Sequence, residues 1–247
     1  MSINFDKFNS VVSLFDQQAS FHNNNPYLWK KKNSKFVSLS WNQVRDQVEA
    51  VAKGLINIGI LKGDRVVIIS ENRPEWQIAD LAIMAIGGIS VPAYTTSTSS
   101  DYEHIIGHSE ARCVIVSSHS LIIKAIPAVI KSSKCQNIIK IEEDGHNYDE
   151  PVNILTWNKL IEINNEIDWK EIENEDHKNF SLKESSKLHN RKDTACIIYT
   201  SGTGGSPKGV MLSHGAMLTN CTGAQELLKN LIHDLSEIRF LSWLPLS

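Results

Sequence analysis

The sequence lacks the features of a disulfide-stapled, secreted or membrane-spanning protein. Its four cysteines, Cys113, Cys135, Cys196 and Cys221, form no C-x-x-C pair, so we interpret all four as reduced core thiols rather than metal ligands. The N-terminus has no basic start followed by an apolar core, which predicts a cytoplasmic protein. The longest weakly polar stretch, 81–93, is too short to span a bilayer, and peripheral membrane contact remains open as a second location.

A large excess of one charge is also missing. The chain has 25 Lys and Arg against 28 Asp and Glu, a net charge of -3, which gives no sign of a surface for polyanions. Nucleic acid is therefore excluded as an expected partner. Apolar residues make up 41% of the 247, which is ordinary for a globular protein with a sizeable core.

From residue 40 onward, helix-type and strand-type patterns alternate. Ser40 and Gln43 form a capping-box pattern at the start of a helix that Gly59 closes. Further helices are predicted at 74–86, 101–108, 120–131 and 214–231, and apolar strands at 65–70, 88–93, 112–117, 137–141 and 194–200. Because strands separated by helices form parallel sheets, we predict an α/β fold with a mainly parallel sheet and helices on both faces.

The pattern weakens between residues 142 and 192, where Glu, Asp, Asn and Lys dominate around one helix-like island at 156–167. We interpret this segment as a surface excursion or insertion with partial order. The predicted organisation is a first α/β part over 1–141, the excursion over 142–192, and a third part over 193–247. The third part would contain a strand, a glycine-rich loop, a helix and the start of a further sheet.

The segment 200–208 follows a predicted buried strand directly and combines hydroxyls, glycines and a lysine. Glycines without a Cβ let consecutive backbone N–H groups turn toward an anion, hydroxyls add donors, and the lysine adds a mobile positive charge. These properties predict a cradle for phosphate oxygens. Its candidate residues are Thr200, Ser201, Gly202, Thr203, Gly204, Gly205 and Lys208.

Residue identities exclude the two commonest nucleotide loops. A P-loop counted from Gly202 requires glycine at 207 and serine or threonine at 209, where Pro207 and Gly209 stand. A dinucleotide G-x-G-x-x-G loop also fails at Pro207. The alternative of a plain Ser/Gly-rich surface turn is disfavoured because a predicted strand precedes the segment and Ser213, a plausible N-cap, introduces a helix after it.

The loop resembles the signature of AMP-forming acyl-CoA synthetases in the adenylate-forming superfamily, Tyr-Thr-Ser-Gly-Thr-Thr-Gly-x-Pro-Lys-Gly-Val. Residues 199–210 match every fixed position except Gly204, which replaces a threonine. Segments 59–66, 72–76, 85–92, 94–98 and 210–214 resemble the long-chain fatty acid CoA ligase branch. The resemblance implies an incomplete N-terminal large domain of this fold, whose loop holds the β- and γ-phosphates of ATP while Mg²⁺ bridges them.

This family activates a carboxylate with ATP to an acyl-adenylate and then transfers it to coenzyme A. The resemblance therefore implies ATP, Mg²⁺, coenzyme A and a fatty acid as ligands, and it places the C-terminal lid and most catalytic segments outside these 247 residues. We assign no catalytic residue and no metal ligand, and interpret Asp193, Glu226 and His214 as cap, loop or solvated helix residues. We expect the isolated chain not to complete adenylation.

Three alternatives to an inactive fragment of a long-chain fatty acid CoA ligase remain open. The acid could be aryl or short-chain, since most of the acid pocket would lie outside the chain. A separately encoded C-terminal half could complete the enzyme as a partner. The chain could instead be a non-catalytic ATP-binding or structural module.

Overall fold

The computed structural model describes residues 3–166, 180–200, 207–231 and 240–242. After a short 3-10 helix, Phe5–Lys7, the helices are α1 (Val11–His22), α2 (Trp41–Asn57), α3 (Pro74–Ala85), α4 (Ser99–His108), α5 (His119–Lys131), α6 (Trp157–Glu166), α7 (Leu182–Leu188) and α8 (His214–Leu231). The strands are β1 (Pro26–Lys32), β2 (Lys35–Ser40), β3 (Arg65–Ile69), β4 (Ile89–Ala93), β5 (Cys113–Val116), β6 (Asn137–Lys140), β7 (Asn153–Thr156), β8 (Thr194–Thr200) and β9 (Lys208–Ser213).

Seven of these strands form one sheet in the order β7-β6-β5-β3-β4-β8-β9. Neighbours run parallel throughout except for β8 and β9, which form an antiparallel pair at one edge. The predicted α/β class is confirmed. β1 and β2 form a separate antiparallel hairpin that the sequence patterns did not predict.

The apolar strands are buried on both faces of the sheet. In β3, Val66 and Ile68 belong to one hydrophobic core, while Val67 and Ile69 belong to the other. Residues of α1, α2, α3 and α6 cover the first face, and residues of α4 and α5 cover the second. Two-sided burial explains why these strands read as continuous apolar runs instead of alternating ones.

The predicted boundaries of α2 are confirmed by its two ends. The Ser40 Oγ accepts from the backbone N–H of Gln43 at 3.2 Å, and the Gln43 side chain accepts from the backbone N–H of Ser40 at 2.9 Å. This reciprocal pair is a capping box. Beyond the last turn, Gly59 has a φ of 85°, the left-handed conformation in which a helix commonly ends.

The segment interpreted as a surface excursion contributes to the fold. β7 extends the sheet by pairing in parallel with β6, and α6 packs on α2, where Trp157 and Leu160 are buried in the first core. A Cβ added to Gly54 in α2 would lie 2.4 Å from the Leu160 carbonyl oxygen, so the two backbones are in close contact. The helix-like island predicted at 156–167 is present as α6, whereas β7 is a strand of the main sheet that the polar pattern did not predict. Residues 167–179 lie outside the described part.

The cysteine prediction is correct for three of the four thiols. All four are free, and Cys113, Cys135 and Cys196 are buried, as a core assignment requires. Cys221 is exposed on α8, so it is not a core thiol. No helix in the described ranges is both long enough and apolar enough to cross a bilayer.

Candidate phosphate-binding site

The predicted phosphate loop connects β8 to β9, the antiparallel pair at the edge of the sheet. In the register of this pair, Thr200 lies opposite Lys208, so the first and last candidate residues face each other across two neighbouring strands. Both residues are exposed. Ser201, Gly202, Thr203, Gly204 and Gly205 lie outside the described residues, and their role remains a prediction.

The loop begins at the carboxyl end of a strand that lies within the parallel set. β8 pairs in parallel with β4, with Ser90 opposite Cys196. The carboxyl ends of parallel strands share one edge of the sheet, which is where ligands bind in open α/β folds. The loop therefore starts at the edge of the sheet where folds of this class bind their ligands.

Helix α4 supports the base of this loop through two histidines one helical turn apart. His104 Nε2 lies 2.8 Å from the carbonyl oxygen of Pro207 and, because a carbonyl only accepts, it is the donor. His108 Nδ1 lies 2.7 Å from the hydroxyl of Tyr199. The two imidazoles stack with centroids 5.3 Å apart, and each meets the Tyr199 ring edge to face. One helix thus fixes both sides of the loop.

Sequence reasoning missed His104 and His108, although their i, i+4 spacing on a predicted helix was visible. The spacing shows that the two rings share a face. It does not identify Tyr199 and Pro207, which lie far along the chain, as the groups they contact. Burial raises the pKa of Tyr199, so the hydroxyl stays protonated at neutral pH.

Gly209 allows the Tyr199 ring to lie against the neighbouring strand. A Cβ at position 209 would lie 2.7 Å from Ile197 Cγ2 and 3.3 Å from Tyr199 Cζ. The shorter of these distances is closer than any real Cβ contact, so a larger residue would push the side chains of β8 aside. The glycine after Lys208 therefore has a packing role in addition to its place in the loop motif.

The carboxyl end of β3 carries further polar side chains at the same sheet edge. Glu71 accepts a short hydrogen bond from the Ser117 hydroxyl, which follows β5. Asn72 Nδ2 donates to the backbone oxygen of Ser242 at 3.2 Å and to its Oγ at 3.0 Å. The short described segment 240–242 thus reaches the same edge of the sheet.

A model of one protein family, described as AMP-binding enzyme, matches residues 15–247 of the chain. The chain belongs to this family. Among curated AMP-binding enzymes, it is 26% identical over 241 residues to the long-chain-fatty-acid–CoA ligase ACSBG2 of Xenopus laevis, covering 96% of this chain and 31% of the relative. It is 30% identical over 207 residues to the ligase FadD15 of Mycobacterium tuberculosis, covering 83% of this chain and 31% of the relative.

Solved structures of AMP-forming enzymes have the same fold. The long-chain-fatty-acid-CoA ligase FadD1 from Archaeoglobus fulgidus superposes with a TM-score of 0.66 at 21% identity, covering 90% of this chain and 40% of that one. The anthranilate CoA ligase AuaEII, solved with anthranoyl-AMP, gives 0.68 at 19% identity, covering 86% and 36%. The chain spans about a third of the length of its curated relatives and corresponds to their N-terminal portion.

Three further polar residues of the chain are candidates by residue type alone. Asp193 is a loop residue that accepts from the backbone and side chain of Asn190 at 3.0 and 2.8 Å. Glu226 is exposed on α8, as predicted. His214 is only 2% exposed and packs against His189 with ring centroids 5.8 Å apart, so its interpretation as a solvated or loop residue is wrong.

Proposed function

We propose that this chain supplies the ATP-phosphate-binding part of a long-chain fatty acid CoA ligase. The proposal rests above all on the β8–β9 hairpin, which holds Thr200 opposite Lys208 at the ligand-binding edge of the sheet. The match to the AMP-binding family and the long-chain ligases among its curated relatives support the reaction class and the acid.

In the proposed reaction, a fatty acid carboxylate oxygen attacks the α-phosphorus of Mg–ATP and pyrophosphate leaves. The coenzyme A sulfur then attacks the acyl carbonyl carbon and AMP leaves. Reactions at phosphorus depend on positioning and on neutralisation of charge that develops on the leaving group. Lys208 and the donors of residues 200–205 would hold the β- and γ-phosphates, which leave together as pyrophosphate. His104 and His108 would act as positioning residues for the loop.

Calorimetric titration with Mg–ATP tests the binding step. Lys208→Met removes a charge-assisted contact to phosphate, typically worth about 1.5–3 kcal/mol, so its affinity should fall roughly ten- to hundredfold. Lys192→Met is the matched control because Lys192 is an exposed lysine just before the opposite end of β8. Absence of binding by the unmodified chain, or equal weakening by both variants, contradicts the proposal.

A second measurement separates binding from turnover. We propose that ATP binds to the isolated chain without supporting pyrophosphate exchange in the presence of palmitate. Exchange well above background would contradict this expectation while leaving the phosphate site intact. ATP binding unaffected by Lys208→Met would instead favour a module that holds nucleotide elsewhere.

A further inference from the structure

Two histidines and an aspartate converge beside β5 and β6, toward the end of the strand order that is opposite to the β8–β9 hairpin. His119 is the first residue of α5 and follows β5, whereas Asp144 and His146 lie in the segment that follows β6. Because β5 and β6 are parallel neighbours, their carboxyl ends bring these segments together. β3 and β4 separate this cluster from β8 in the sheet.

The three side chains present their donor atoms to one another. His146 Nδ1 lies 3.3 Å from Asp144 Oδ2, and His119 Nδ1 lies 3.9 Å from the same oxygen. The two imidazole rings stack with centroids 3.8 Å apart. All three donor atoms fall within 4.8 Å of one another, and this is the only such group of three that the described residues contain.

These separations suit a small metal ion. With metal–nitrogen and metal–oxygen bonds of about 2.0–2.1 Å, two ligands of a tetrahedral ion are separated by about 3.3–3.4 Å. The 3.3 Å pair already matches this edge, and the 3.9 Å pair requires a shift of about half an ångström. Because an imidazole nitrogen binds a metal in the plane of its ring, the two stacked rings must also rotate apart for both nitrogens to face the ion. We propose that His119, Asp144 and His146 bind a divalent transition metal ion of the Zn²⁺ class, with water completing its coordination.

The aspartate is held in a suitable orientation by its other oxygen. Asp144 Oδ1 accepts from Lys140 Nζ at 2.9 Å and from the backbone N–H of His146 at 3.0 Å, which leaves Oδ2 facing the histidines. Ligating carboxylates are commonly fixed by such outer hydrogen bonds. Lys140 offsets the charge of the carboxylate, which favours moderate affinity.

Tyr148 competes with the metal for one ligand. Its hydroxyl lies 2.8 Å from His119 Nδ1 and 3.5 Å from Asp144 Oδ2. A metal ion on His119 Nδ1 must displace this hydroxyl. Tyr148→Phe should therefore bind metal more tightly than the unmodified chain.

Once bound, the ion would connect the segment after β6 to the start of α5. Both segments leave the sheet at its carboxyl edge, where the His146 ring stacks on His119 and the Tyr148 hydroxyl hydrogen-bonds to His119 Nδ1. A metal ion that binds the folded state alone stabilises it. The site is thus proposed as a structural clamp for this crossover.

Titration with Co²⁺ and Zn²⁺ tests the proposal in the 247-residue chain carrying Cys221→Ser, which removes the exposed thiol as a competing ligand. We expect one ion per chain, a Co²⁺ absorption band without thiolate character, and a higher melting temperature with Zn²⁺. His146→Gln and Asp144→Asn should weaken binding by more than the roughly 10–100-fold that loss of an outer partner costs. His22→Gln is the control histidine variant and should bind normally.

Melting in the presence of EDTA shows whether each variant is folded, and His146 is exposed enough for substitution to be tolerated. Saturable binding that survives both His146→Gln and Asp144→Asn would overturn the proposal, as would absence of Co²⁺ and Zn²⁺ binding by the unmodified site. Weaker binding by Tyr148→Phe would contradict the three-ligand set.

Discussion

Acidification should destabilise the chain through His214, the first residue of α8. Its ring is 2% exposed, and its Nδ1 accepts from the backbone N–H of Val11 at 3.4 Å. Protonation of Nδ1 would replace this acceptor with a second donor and would place a charge beside His189. Burial, with a smaller effect from His189, lowers the pKa of His214 to about 4 from its ordinary 6.5.

The size and sign of the stability change follow from the difference between the His214 pKa in the unfolded chain, 6.5, and in the folded chain, about 4. The folded state disfavours the protonated ring, so the contribution to stability is complete above pH 6.5 and is lost as the pH falls, until the loss ends near pH 4. At 1.36 kcal/mol per pKa unit, the full loss is about 3 kcal/mol, and about 2 kcal/mol of it falls between pH 7 and pH 5. For a chain of this length, 2 kcal/mol corresponds to roughly 4–8 °C in melting temperature.

The assay compares the unmodified chain with His214→Asn at pH 7 and pH 5. The difference between the two proteins cancels the titration of groups that do not interact with His214, in particular Asp80, whose pKa burial raises to about 6 and which acts in the opposite direction. We expect the unmodified chain to lose about 2 kcal/mol more than the variant on acidification. Equal losses, or an NMR titration that places the His214 pKa near 6.5, would refute the reasoning.

Two substitutions test the packing of α6 and the support of the loop. Gly54→Ala adds a methyl 2.4 Å from the Leu160 carbonyl oxygen and should cost about 1–3 kcal/mol in urea unfolding. Gly223→Ala, where an added Cβ meets nothing within 4 Å, should cost nothing, and equal costs would argue against close contact of α2 and α6. Tyr199→Phe removes the 2.7 Å hydrogen bond to His108 and should lower the free energy of unfolding by about 1 kcal/mol. In a double-mutant cycle with His108→Leu, the double variant should lose less stability than the sum of the two single variants, because both remove the same bond.

The elements predicted correctly from the sequence are those whose local sequence pattern favours the same structure that the packed fold requires. The capping box of Ser40 and Gln43 satisfies backbone groups within the same turn, so it is visible in the sequence and present in the fold. The strands β3 and β5 are buried on both faces, so apolar runs alone identify them. No long-range information was needed for either inference.

The missed elements depend on contacts that a local pattern does not contain. β1 and β2 are largely exposed and rich in lysine, so they show no apolar alternation, and their pairing is what makes them strands. β7 has four residues in a polar segment and forms because β6 offers a free edge. At the candidate site, Thr200 and Lys208 lie opposite each other because only a short loop separates them in the sequence. The contacts of α4 with Tyr199 and Pro207 join distant parts of the chain, so no local pattern predicts them.

The strand order has a consequence for how the candidate site forms during folding. β8 lies beside β4, but β5, β6 and β7 intervene in the chain and occupy the other side of β3. Pairing of Ser90 with Cys196 therefore closes a long loop, whose entropic cost must be met before that contact contributes stability. During synthesis, β3 to β7 can assemble while β8 is still being made. The β8–β9 hairpin would then dock after β3 to β7, onto strands that are already in place.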